Sequence, residues 1–391
     1  MAFFRNRAIN LLNLHYGLHA IALYGGGAFF FVYFLRAGFS PTAILLFFAA
    51  VLLGRFLIRP AIVPFAVRWG VRRLLILGTL LVAVQFPMLS LITNVGPMLI
   101  ILTATTAIGD TIYWTAYHAY FAVLGDQEHR GHQISVREAI SAIVGILSPI
   151  VAGVGLVRFG PQIAFSATAV FQVLAALPLL RTPDVAVARR APGVVKQALP
   201  AMLLFAADGW IAVGYIVVWQ LALFISLGEN YVAFGTALAA AALVGAIGGM
   251  VLGRHIDSGY GGRAVWIAIG VLVTCLSLRA AVVEHATLAM IANALGALVG
   301  CLYTPTLMTA VYNQAKRSHC ALRFHVATEG GWDVGGASAA LITAALLSRN
   351  APLSAGILLA LIGACASFLL LRRYYEGRPN MADAARQADV T

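Results

Sequence analysis

Three aspartates, Asp110, Asp208 and Asp333, fall near the middles of long apolar stretches. An ionised group in hydrocarbon costs at least ~2.5–3.5 kcal/mol near its centre, so each must face a polar cavity or a partner. A carboxylate in such a cavity can take up and release a proton or hold a cationic group. These three, with Glu329 and His19 next, are the candidates for proton exchange. Their neighbours are aromatic. Tyr113, Trp114, Tyr117, His118 and Phe121 follow Asp110 at offsets of 3, 4, 7, 8 and 11, which is one face of an α-helix. Glu329, Trp332, Asp333 and Gly336 repeat the arrangement at offsets of 4, 7, 8 and 11 from His325. Tyr215 and Trp219 follow Asp208 at offsets of 7 and 11. Ring faces beside acids suit an organic cation, although an aromatic stripe serves equally as packing. Tyr113, Trp114, Tyr117, His118, Tyr215, Trp219 and Trp332 are therefore the candidate walls of a substrate site. His15 and His19 are spaced as a pair of metal ligands, but no third ligand is assured, and neither a metal nor a cofactor is expected.

The elements that carry these groups are written in the composition. Of 391 residues, 61% are apolar and 10% charged, against roughly 25% charged in a soluble domain. A membrane-spanning helix needs about 20 mostly apolar residues, and the chain has apolar length for twelve. A soluble enzyme, a disordered chain and a disulfide scaffold are excluded. The four cysteines, Cys275, Cys301, Cys320 and Cys365, have no paired spacing and suit small buried hydrophobes. The formal charge of +12 invites a nucleic-acid reading. Position argues against that partner, because the basic residues fall at the ends of apolar segments, as orientation signals do. Arg5 and Arg7 before an apolar run mimic a signal peptide, but the run continues to Leu35, too long for its apolar region.

Hydropathy predicts twelve spans: Ile9–Leu35, Thr42–Pro64, Val71–Leu91, Pro97–Leu124, Ile134–Val157, Gln162–Leu180, Ala198–Leu227, Val232–Gly253, Arg263–Val283, Thr287–Tyr312, Ala321–Leu347 and Pro352–Leu371. With the N-terminus in the cytoplasm, only Arg36, Arg158, Arg279 and Arg349 lie on the outer side, and the rest of the 26 Lys and Arg lie inside. Both termini are expected in the cytoplasm of a multi-pass membrane protein, in the inner membrane if the source is bacterial. The longest polar connector divides the chain into residues 1–181, a linker at 182–197, residues 198–371 and a charged tail at 372–391. The expected fold is thus all-α, twelve transmembrane helices in two pseudo-symmetric six-helix bundles. Polar content is high in the first, fourth, seventh and eleventh spans and low in every third one. That pattern suits a polar cavity near the midplane between two related halves.

The connector after the second span reads Val63-Pro64-Phe65-Ala66-Val67-Arg68-Trp69-Gly70-Val71-Arg72-Arg73. It resembles the G-x-x-x-D-R-x-G-R-R signature of the major facilitator superfamily of secondary transporters. Arg68, Gly70 and the basic pair match, while Val63 and Val67 replace the first Gly and the Asp. The connector after the eighth span supplies the missing half, with Gly253 and Asp257 lying 190 residues after Val63 and Val67. Glu138 and Glu329, and Gly145 and Gly336, share an offset of 191, as a duplicated six-helix unit would give. The fifth span, around Ser148, Pro149 and Gly153, partly resembles the signature of the family's antiporters.

The resemblance implies two halves that rock about a central site, and a connector acid that latches the cytoplasmic side. Asp257 suits that role and Val67 does not. Arg55, Arg59, Arg137, Arg254 and Arg323, with Glu138, Asp257 and Glu329, form either an inner gate of ion pairs or interfacial anchors that reach toward water. Arg68, Gly70 and Gly253 complete the expected cytoplasmic gate. The loop from Gly125 to His132 suits a solvated connector. Together these residues imply a monomeric secondary transporter in the lipid bilayer. It is expected to couple protons to a small organic solute, with a lean to export of cationic or amphipathic compounds. Two other classes remain: a transporter-like sensor or assembly partner, and a lipid-handling protein. No nucleophile elbow, phosphate-cradling loop or zinc spacing suggests an enzyme.

Overall fold

The computed structural model describes residues 6–124, 130–256 and 261–376; the side chains of 122, 130–139, 250–256 and 261 are outside that description. The described chain is helical: α1 Arg7–Tyr24, α2 Phe30–Arg36, α3 Pro41–Ile58, α4 Ile62–Trp69, α5 Val71–Leu89, α6 Pro97–Leu124, α7 Arg130–Leu174, α8 Ala176–Leu179, α9 Val194–Ala212, α10 Trp219–Ser226, α11 Tyr231–Ile256, α12 Gly261–Ala281, α13 Ala286–Arg317, α14 Ala321–Leu347 and α15 Leu353–Glu376. Among the described residues, ten helical stretches are long and apolar enough to cross a membrane. Large apolar side chains such as Leu57, Ile100, Phe159 and Trp266 face outward, while His15, Arg55, Arg59, Gln172 and Asp333 are buried. Polar interior and apolar exterior is the arrangement a lipid solvent demands.

Local sequence sets the helix ends. Ser40 caps α3 by accepting from the Ala43 amide, with Pro41 in the first turn. Asn230 caps α11 by accepting from Val232 and Ala233 at 2.9 and 3.0 Å. The predicted first span breaks after Gly25 into a 3₁₀ turn at Gly26–Phe29. The predicted seventh span passes through a π-helical turn at Val213–Val218 between α9 and α10. The predicted fifth span lies within α7, which turns at Gly160 (φ 79, ψ 169) before Pro161, and the predicted sixth span runs from there through the rest of α7 and α8. A methyl group on Gly155 would touch Ala164 at 3.8 Å, whereas along a straight helix those positions are roughly 13 Å apart. The chain therefore doubles back at Gly160.

Glycines bring the site-bearing helices together. In α14, a Cβ on Gly331 would lie 2.2 Å from the Met202 carbonyl oxygen, and one on Gly335 would lie 1.9 Å from that of Ala206. This i, i+4 pair lets the backbone of α14 rest directly on α9. On its other side α14 meets α3, where Leu52 abuts Gly336 and Phe56 abuts Gly330. One helix from late in the chain thus carries Glu329 and Asp333 to the polar face of α3.

Candidate functional site

Five charged side chains from three helices meet in the interior. Arg55, from α3, places Nε 2.9 Å from Asp333 Oδ1. Arg59, one turn later, donates from Nε to Asp333 Oδ2 at 2.9 Å, and its second terminal nitrogen bonds the same oxygen. Its remaining nitrogen donates to Thr115 Oγ1 of α6 at 2.9 Å. Glu329 lies 3.7 Å from Arg55 and 3.9 Å from Arg59, and Asp110 lies 3.9 Å from Arg55. Two guanidiniums therefore face three carboxylates. Asp333 is fully enclosed and Arg59 nearly so, whereas Asp110 keeps 24% of its side-chain surface accessible. Neither Arg55 nor Arg59 reaches toward an interface; both are buried and paired.

Helix α6 presents two different faces. Asp110, Trp114 and His118, at i, i+4 and i+8, retain accessible surface beside Arg55, Glu329 and His325. Tyr113 and Tyr117 are fully buried and pack on α1. The Ala175 carbonyl can only accept, so His15 Nδ1 donates to it at 2.7 Å, and His15 Nε2 then accepts from the Tyr113 hydroxyl at 3.2 Å. Gln172 donates to the Thr79 carbonyl, so its Oε1 accepts from His19 Nδ1 at 2.9 Å. His19 Nε2 is buried and has no hydrogen-bond partner among the described residues. Trp114 separates the two regions, edge-on to His19 at 5.6 Å and stacked on His118 at 5.8 Å. His118 in turn stacks on His325 at 5.9 Å, approaches Glu329 Oε1 at 3.7 Å and meets the Tyr312 hydroxyl at 3.3 Å.

A second acid sits across α14. Trp332 Nε1 donates to Asp208 Oδ2 at 3.1 Å, and the Arg55 guanidinium lies 5.3 Å from the centre of the Trp332 ring. The indole thus lies between a cation and an anion. Among the described residues no basic side chain pairs with Asp208. The Tyr303 hydroxyl, from α13, meets Ser367 Oγ at 2.9 Å.

Tyr215 and Trp219 lie elsewhere, around Arg279. This guanidinium is buried, lies 4.4 Å from the Tyr215 ring centre and 4.7 Å from that of Trp219, and donates to the Tyr215 carbonyl at 2.8 Å. No carboxylate among the described residues pairs with it. Trp219 Nε1 donates to Asn293 Oδ1 at 3.0 Å, and the Tyr215 hydroxyl to the Gly296 carbonyl at 2.8 Å. Sequence reasoning placed Arg279 at a helix end and missed this cluster. The available signal was a lone Arg in an otherwise apolar span.

Of the expected gate residues, Arg55 belongs to the ionic cluster. Arg68 is exposed in the last turn of α4, and Gly70 ends that helix with φ 81. Arg323 donates to the Arg189 carbonyl at 2.7 Å rather than to an acid. The side chains of Arg137, Glu138 and Arg254, and Gly253 beside the last of these, fall in segments whose side chains are not described; Asp257 lies outside the described residues, as do 125–129 of the expected loop and 377–391 of the tail.

A family model described as Major Facilitator Superfamily matches residues 15–228. A search of curated protein sequences finds no match. Solved structures are similar over nearly the whole chain. A POT family transporter in complex with a thioalcohol-conjugated peptide is 12% identical, with a TM-score of 0.68 over 93% of this chain and 95% of that one. The major facilitator superfamily transporter FucP in its outward conformation is 14% identical, with a TM-score of 0.67 over 95% and 99%. A POT family transporter in complex with 5-aminolevulinic acid is 11% identical, with a TM-score of 0.62 over 93% and 95%. At these identities the likeness is one of fold.

Proposed function

The chain belongs to the major facilitator superfamily and is a secondary transporter; from that premise we propose that it exchanges protons for a small organic cation or cationic amphipath. In this reading residues 1–181 and 198–371 form two six-helix bundles of a twelve-span protein. The linker and both termini face the cytoplasm, and a central site is exposed alternately to the two sides.

The observation that supports this reading is the imbalance of the ionic cluster. Three carboxylates share two guanidiniums, and the one least held, Asp110, is the one with accessible surface. A carboxylate without a cation of its own, away from water, is satisfied by a proton or by the charged head of a solute. If the two compete for it, proton uptake releases the solute and solute binding releases the proton, which is the thermodynamic core of exchange. Trp114 and His118 flank Asp110, and Trp332 with Asp208 offers a second ring and acid nearby. Asp333, clamped by both arginines, couples the state of this site to the α3–α14 contact. Glu329 links the same arginines to His118. His19 communicates with the site through Trp114.

Thermal stability of the purified protein in detergent, measured against metabolites, drugs and lipids at pH 5.5 and 7.5, tests the reading. A compound at 100 times its dissociation constant raises stability by about 2.7 kcal/mol. The expected hit is an organic cation that stabilises more at pH 7.5 than at pH 5.5, with the difference lost in Asp110→Asn. Stabilisation by anions alone, or by cations equally at both pH values, overturns the proposal.

A further inference from the structure

The connector ahead of α9 is fixed to the molecule at two places. At its root, Asp184 Oδ1 accepts from the backbone amides of Arg72 at 3.2 Å and Val185 at 2.8 Å. Arg72 also donates from its side chain to the Thr182 carbonyl at 2.9 Å, and the Val71 amide to the Val185 carbonyl at 3.3 Å. From α6, the Tyr120 hydroxyl bonds Thr182 Oγ1 at 2.6 Å and the Pro183 carbonyl. Thr182 is buried. Further along, the carbonyls of Ala188 and Arg189 accept from one terminal nitrogen of Arg323, in the first turn of α14, at 3.4 and 2.7 Å. Val185 and Val187 between these points, and Ala191 just beyond them, pack against the apolar interior.

The turn between α4 and α5 lacks an acid of its own, because Val67 stands where the signature has Asp. Asp184 occupies that corner from the linker: a Cβ on Gly70 would lie 2.4 Å from each of its carboxylate oxygens. Gly70, at φ 81, leaves the space and takes the conformation that only glycine adopts freely.

We propose that the linker is a releasable latch. Asp184 and Thr182 root it on α5 and α6, and Arg323 hooks it to α14. Release of Arg323 is a step in separating α14 from the helices that precede the linker. The two attachments differ in kind. The root combines a buried hydroxyl, backbone pairing and a carboxylate at a helix N-terminus, whereas the hook is one half-buried guanidinium on the carbonyls of two exposed residues, where water can replace it. When the linker end opens, the hook lets go and the root stays. The opposite end is closed in this structure, where Phe29 packs on Tyr231 and Phe234 with ring centres 6.0 and 5.4 Å apart, and it stays closed when the hook lets go. The proposal rests on alternating access but on neither proton coupling nor the identity of the solute.

Two cysteine reporters in detergent test it with a water-soluble maleimide. The first protein keeps Cys320, beside Arg323, as its sole cysteine; the second is cysteine-free apart from Tyr231→Cys at the opposite end. Arg323→Met and Asp184→Ala should each raise the alkylation rate of Cys320 several-fold without raising that of the cysteine at 231, with little change in melting temperature. An unchanged rate at Cys320 overturns the latch. So does a joint rise at both reporters, which would mark general loosening. Neither reporter needs a substrate or a proton gradient, so failure here and failure of the exchange proposal give separate readouts.

Discussion

Arg59 and Asp333 are joined by a donor–acceptor bond of 2.9 Å although 274 positions separate them in sequence. Their pairing closes the contact between α3 and α14, with Arg55 completing the enclosure of the same carboxylate. Removing the acid alone leaves two buried guanidiniums with only the longer contacts to Glu329, at 3.7 and 3.9 Å, and to Asp110, at 3.9 Å from Arg55. Breaking a buried pair from one side costs about 3–5 kcal/mol, most of it from the charge left behind. Asp333→Asn should therefore lower the melting temperature sharply. Asp333→Leu combined with Arg59→Met should be more stable than Asp333→Asn. A melting temperature for Asp333→Asn within a degree or two of the parent would show that the pair does not hold this contact.

Asp110 should behave differently, because it is the least enclosed acid of the cluster and, among the described residues, forms an ion pair with Arg55 alone. Asp110→Asn removes the surplus carboxylate and leaves the Arg55–Asp333–Arg59 core in place, so its melting temperature should stay close to the parent's. The effect belongs in pH dependence. In the parent, affinity for an organic cation should fall as pH drops from 7.5 to 5.5, because protons compete for the site. In Asp110→Asn, binding should be weak and flat across that range, and solute exchange without a proton gradient should partly survive. Isothermal titration at several pH values reads the slope; an unaltered slope in the variant moves the proton elsewhere.

Much of this arrangement was legible in the sequence, and the unreadable parts have physical causes. The 3.6-residue period placed Asp110, Trp114 and His118 on one face, and His325, Glu329 and Trp332 on another. Period alone could not separate Tyr113 and Tyr117, which pack on His15 and Tyr16, from the stripe beside them that stays accessible. Hydropathy leaves a break between Val157 and Gln162, and the turn at Gly160 falls inside it. The π-helical turn at Val213–Val218 carries no break in hydropathy, so the sequence there is indistinguishable from continuous helix. That Arg55 and Arg59 close on Asp333 depends on how two distant helices cross, which the glycines of α14 decide through close approach to α9. No local pattern announces that the acid missing at Val67 is supplied by Asp184.

The α9–α14 contact gives a steric prediction. A methyl group on Gly335 points at a backbone oxygen 1.9 Å away, which a side-chain rotation cannot relieve. Gly335→Ala should cost at least the ~1–3 kcal/mol typical of overpacking and displace Asp333 from the arginines. Gly270→Ala, in α12, meets nothing within 4 Å and should be neutral or stabilising by roughly 0.5–1 kcal/mol, as alanine replaces glycine inside a helix. Thermal unfolding of the two variants side by side checks the contrast, and equal melting temperatures would contradict the close packing.

Arg279 sets the last prediction, since a buried cation with no carboxylate partner among the described residues needs its cost offset by other means. The π-helical turn between α9 and α10 includes Tyr215, whose carbonyl accepts from Arg279 at 2.8 Å, and two ring faces flank the guanidinium. Gly296 provides the room: a Cβ there would lie 2.0 Å from a terminal nitrogen of Arg279. Gly296→Ala should thus displace the guanidinium and destabilise the protein by about 1–3 kcal/mol, the cost of a buried polar group left unmatched. Arg279→Met should be milder, because it removes the buried charge together with its need for partners while the Tyr215 carbonyl loses one donor. Residues in direct contact deviate from additivity by about 0.5–3 kcal/mol. The double variant Gly296→Ala with Arg279→Met should therefore be more stable than Gly296→Ala alone, because the smaller, uncharged side chain no longer competes for the space. Melting temperatures of the four proteins complete the cycle. If the double variant melts no higher than Gly296→Ala, the glycine serves the approach of helices and not the seating of Arg279, and Tyr215 and Trp219 regain a claim to the solute.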